Sequence, residues 1–78
     1  MNDLEKRKYI DYLSLKGELA GVEERGTSLY LDGKKTDADF IASMCVFNEN
    51  SDYMRDYVTG KGGSLDAISF DRVRSEYR

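Results

Sequence analysis

The chain has 78 residues, no histidine, one cysteine and a formal net charge of −3. Without histidine it lacks the commonest acid, base and metal ligand near neutral pH, and a lone Cys45 builds no zinc site, disulfide framework or redox pair. A single small domain over residues 1–78 follows, with few staples for its stability beyond packing and self-association, so a homodimer belongs among the expectations.

The first segment reads as a helix. Asn2 or Asp3 supplies an N-cap, acidic residues fill the first turn, and Tyr9, Ile10, Tyr12, Leu13 and Leu15 form a broad apolar face as far as about Lys16. Gly17 and Gly21 then punctuate the chain, and Ala20 and Val22 before the turn-like pair Arg25-Gly26 suggest a strand entering a hairpin. A second strand covers Thr27 to Leu31. Asp32-Gly33 is a strong tight-turn signal ahead of Lys34 and Lys35.

Thr36 followed by Asp39 resembles a capping box before Phe40, Ile41, Met44, Cys45 and Phe47 at helical spacing, which predicts the core helix. It stops near Asn48, in the polar run that ends at Asp52. From Tyr53 to Val58 the residues fit either a strand or one face of a short helix, and the strand is adopted. Thr59 to Ser64, with three glycines, is a turn, and Leu65 to Val73 is a strand with Ile68 and Phe70 on one face. Residues 75–78 are expected to fray. The fold class is α+β, a single-layer antiparallel sheet of about four strands with two helices on one face, in the order α-β-β-α-β-β.

Several stretches imitate functional motifs. Gly60, Lys61, Gly62, Gly63 and Ser64 resemble a phosphate-cradling loop, but the spacing is wrong for one and a strand follows where a helix should. Asn48, Asn50 and Asp52 alternate like the first ligands of a calcium loop, yet Tyr53 stands where a glycine is needed and Thr59 where a glutamate should be. Cys45 has no basic neighbour in sequence and reads as a small core hydrophobe. Nothing selects a pair of carboxylates for catalysis, so no enzyme activity and no cofactor are expected.

Charge is distributed unevenly. Residues 36–56 carry an acidic excess relieved only by Arg55, whereas Arg72, Arg74 and Arg78 gather at the end. Two functions remain. The first is a protein-binding regulatory or inhibitory module, as in a bacterial or mobile-element accessory protein, with Tyr53, Arg55 and Tyr57 as a recognition strip if they stand on the exposed face of a strand. The second is a nucleic-acid-binding domain using Arg72, Arg74, Tyr77 and Arg78, or Lys6, Arg7 and Lys8 with Tyr9. No apolar run is long enough to cross a bilayer, and the unpaired cysteine suits a reducing, cytoplasmic setting.

Overall fold

The computed structural model describes residues 2–48 and 52–73. It opens with helix α1, Asp3–Glu24. Asn2 caps it through a reciprocal box: its side chain accepts from the Glu5 amide at 2.8 Å, and the Glu5 carboxylate accepts from the Asn2 amide at 3.1 Å. Two donors that a helix start leaves unpaired are thereby satisfied.

The expected end near Lys16 and the strand at Ala20 and Val22 are corrected. The helix runs straight through Gly17 and Gly21, although each glycine costs about 1 kcal/mol against alanine in a helix interior. The continuing apolar face outweighs that cost. Leu19 is fully buried, and Leu15, Ala20 and Val22 pack against the same core. Burying a leucine is worth about 2 kcal/mol, so the packed second half overrides its poor local propensity. Arg25-Gly26 is the helix stop: Gly26 takes φ +95°, its amide donates to Glu23 O, and the Thr27 amide donates to Val22 O.

Strand β1, Ser28–Leu31, and strand β2, Lys34–Thr36, form a hairpin in which Leu31 pairs with Lys34. Asp32 and Gly33 both adopt positive φ, +50° and +84°, as a two-residue turn matched to strand twist requires. Asp32 also ties the turn inward. Its amide donates to Phe70 O at 2.8 Å, and its carboxylate accepts from the Arg72 amide at 2.9 Å.

Helix α2, Ala38–Phe47, begins one residue later than the Thr36 signal suggested. Asp37 is the cap, accepting from the Phe40 amide at 2.9 Å. The Glu23 carboxylate, reaching across from α1, accepts from the Ala38 amide at 3.2 Å. Both carboxylates face the positive end of the helix dipole. Asn48 closes the helix where expected.

Strand β3, Asp52–Thr59, resolves the strand-or-helix ambiguity in favour of strand. A tight 3-10 turn at Lys61–Gly63 leads into strand β4, Leu65–Val73, which pairs antiparallel with β3. The fold is α+β with the expected element order, and both helices lie on one face of the sheet. The spatial order is β2-β1-β4-β3.

One feature departs from a wholly antiparallel sheet: the central pair, β1 and β4, is parallel. The cause is the α2 crossover. It carries the chain from one edge strand, β2, to the opposite edge, so that β4 returns between β3 and β1 running in the direction of β1. Leu29 and Leu31 then stand beside Ile68 and Phe70, and with Leu19, Ala38 and Ile41 they make the core. The buried Thr27 hydroxyl donates to Leu65 O at 2.9 Å, joining the start of β1 to the start of β4.

Candidate functional site

Side chains alternate across a strand, so the register sorts β3 and β4 into two faces. Tyr53, Arg55 and Tyr57 lie opposite Arg72, Phe70 and Ile68, on the side that the helices cover. The recognition strip expected on an exposed face is therefore on the helix side. Its three members have different surroundings. Tyr53 packs against the core, and its buried hydroxyl lacks a hydrogen-bond partner. Arg55 sits 5.1 Å over the Phe70 ring and donates from Nη1 to Glu18 Oε2 and to the Tyr57 hydroxyl, each at 3.1 Å. The Tyr57 hydroxyl and the nearby Glu18 charge hold the Arg55 guanidinium even more firmly protonated than usual, despite its partial burial. Tyr57 remains more than half exposed at the outer edge.

Among the described residues nothing covers the other face. Met54 is 65 % exposed, Val58 47 % and Val73 46 %. Asp71 pairs directly with Met54, while Asp52 and Asp56 flank it along β3. Asp52 in turn pairs with Val73, and Val58 with Ala67. Met54 therefore lies diagonal to Val73 while Asp56 separates it from Val58, so apolar and carboxylate side chains interleave on this face, and among the described residues no strand pairs with the outer edge of β3. These positions were missed from the sequence, where attention to the aromatic residues of β3 selected the opposite parity. The alternation was a usable signal for β4 alone: once Ile68 and Phe70 point inward, Asp71 and Val73 point out.

The acidic excess of residues 36–56 does not form one patch. Asp37 caps α2, and Asp39 accepts from the Tyr12 hydroxyl, with Lys16 Nζ at 3.8 Å from the same carboxylate and 5.6 Å from the Tyr12 ring. That hydrogen bond to Asp39, supported by desolvation and by the carboxylate's charge, raises the Tyr12 phenol above its ordinary pKa of 10. Among the described residues of that run only Asp52 and Asp56 join the open face, and Asp71 comes to them from β4.

Two shallow clefts lie on the described surface. One, of about 410 Å3, lies between the β1–β2 hairpin and α2, with Leu31, Phe40 and Met44 below Lys34 and Lys35. The other, of about 230 Å3, is lined by Leu15, Cys45, Tyr53, Arg55 and Phe70 beside Asp52. Cys45 packs against the core, and burial pushes its thiol above the usual range, against a smaller opposing pull from Arg55. A neutral thiol is a poor nucleophile.

The Gly60–Ser64 stretch is the β3–β4 connection. Its Gly60 amide donates to Ser64 O at 2.8 Å, and the Ser64 hydroxyl contacts Asp66 Oδ1 at 3.3 Å. Of the calcium-like triplet, Asn48 ends α2 and Asp52 opens β3, while Asn50 lies outside the described residues. Among the described residues no group of three or more His, Cys, Asp or Glu side chains is arranged to hold a metal ion. Of the basic terminal set, Arg72 is an exposed β4 residue; Arg74, Tyr77 and Arg78 lie outside the described residues, as do 75–78 as a whole.

No family model, curated protein or solved structure matches the chain. Among the described residues no helix is long and apolar enough to cross a membrane. The geometry alone therefore carries the functional argument.

Proposed function

We propose that the chain is a non-enzymatic protein-binding module of regulatory or inhibitory type, working in the cytoplasm and docking its partner on the open face of the sheet along β3 and β4. The observation that supports this most is the exposure of Met54, Val58 and Val73 on the same sheet face while the core lies on the other. Several large apolar side chains left exposed on one sheet face, in company with charged ones, are a mark of a protein interface. Asp52, Asp56 and Asp71, interleaved with these side chains, define the partner's chemistry: apolar groups alternating with basic ones. Nucleic acid is the weaker reading, because a phosphate backbone laid on this face meets three carboxylates.

The test is capture from lysate with the tagged full chain, with and without nuclease, repeated with Met54→Glu and Val58→Glu. Both side chains are exposed, so the fold should survive, as circular dichroism will show. A nuclease-resistant protein partner is expected, with affinity reduced at least about tenfold, or about 1.4 kcal/mol, by either substitution. Tyr57→Ala, on the opposite face, should change affinity less than about twofold. Undiminished capture by both glutamate variants, or capture of nucleic acid alone, overturns the proposal.

A further inference from the structure

A second uncovered surface runs along the outer side of α1. At about 100° per residue, Lys6, Ile10, Leu13, Gly17, Gly21 and Glu24 fall within a sector of about 80°, turned away from the buried Leu19. Ile10 is 63 % exposed and Leu13 46 %. A Cβ placed on Gly17 or Gly21 meets nothing within 4 Å, and neither glycine has positive φ. Neither steric closeness within the protomer nor backbone conformation requires glycine there, in a helix that glycine weakens. The sector is graded from end to end: bulky Ile10 and Leu13 in the first half, notches at Gly17 and Gly21 in the second, a cation at Lys6 and an anion at Glu24.

We infer that α1 packs antiparallel against α1 of a second copy of this chain, about a two-fold axis level with Leu15. That operation sets Leu13 over Gly17 of the second copy, Ile10 over its Gly21, and Lys6 against its Glu24, and every contact occurs twice. The contact extends from Lys6 to Glu24, about 27 Å of helix. The second copy is the occupant because the strip is complementary to its own reverse in both shape and charge. A parallel pairing would instead oppose Leu13 to Leu13, Lys6 to Lys6 and Glu24 to Glu24. Antiparallel pairing also covers the glycines that the isolated protomer leaves in open space. The surface is distinct from the open sheet face, so both can be occupied together.

Sedimentation equilibrium of the full chain, from about 10 to about 500 µM, reads the dimer directly as a rise from 8.9 kDa toward twice that mass. Gly17→Leu fills the notch while gaining helix propensity, so helix content is expected to hold or rise while the dimer weakens at least about tenfold. The charge pair is an independent arm that leaves the glycines intact. Lys6→Glu should weaken the dimer, and adding Glu24→Lys should restore it. A wild-type mass that stays at 8.9 kDa throughout, dimerisation undiminished by Gly17→Leu, or no rescue by the second charge reversal overturns the inference.

Discussion

Tyr12 illustrates how one exposed polar contact joins two helices. Its neutral hydroxyl donates to Asp39 on α2, and Lys16 lies over its ring, so the bond exists only while the phenol keeps its proton. Because folding raises this pKa, the stabilisation is fully present below about pH 10, the ordinary tyrosine value, and is lost as pH rises through the folded value. Lys16, whose own pKa is raised by Tyr12 and Asp39, loses its contribution in the same direction. Denaturation midpoints measured between about pH 8 and about pH 11 should fall more steeply for the wild type than for Tyr12→Phe. Parallel profiles would dismiss the contact as a stabilising one. Arg55 shows the complementary lesson. As a residue type it suggested an interface, but its ring contact with Phe70 and ion pair with Glu18 make it a brace between β3 and α1.

At the scale of elements, local signals were reliable where the chain closes on itself within a few residues. The cap at Asn2, one of two candidates with Asp3, the Asp32-Gly33 turn and the stop at Asn48 all act over short distances, and all three stand. The Asp32 turn carries a quantitative expectation. Asp32→Ala puts a Cβ-bearing side chain without a local hydrogen bond at φ +50° and removes the acceptor for the Arg72 amide, so it should cost about 1–2 kcal/mol in urea denaturation. Asp32→Asn retains both features and should cost less than half as much; equal losses would show that the side-chain hydrogen bond contributes nothing. Local signals failed at Gly17 and Gly21, because helix propensity there is overruled by Leu19, whose burial depends on strands that come later in the chain.

For the molecule as a whole, the core is one sheet face against two helices. Ile41 of α2 is fully buried among Leu29, Ile68 and Leu19, so Ile41→Ala should cost about 2–5 kcal/mol. A domain of this length is typically stable by only about 4–12 kcal/mol, so the variant should be partly unfolded well below the wild-type transition in thermal melts. A loss under about 1 kcal/mol would mean the core is not organised around this residue.

Element order, fold class, the central helix and the hairpin turn were legible because each rests on periodicity or on a turn residue within one short segment. The candidate surface was legible only in part: the strand proposed here, β3, was singled out, but by its aromatic residues, which lie on the helix side. Parity cannot be read from β3 alone, since Tyr53, Arg55 and Tyr57 are as plausible outside as Met54, Asp56 and Val58 until a neighbouring strand is in register. Only the tertiary structure places Phe70 beside Arg55, makes β1 and β4 parallel through the α2 crossover, and gathers Asp71 with Asp52 and Asp56. The sequence by itself determined most of the elements, the second half of α1 excepted, through interactions that span a few residues. Which face each element shows was decided by contacts between segments tens of residues apart, and those exist only once the sheet has formed.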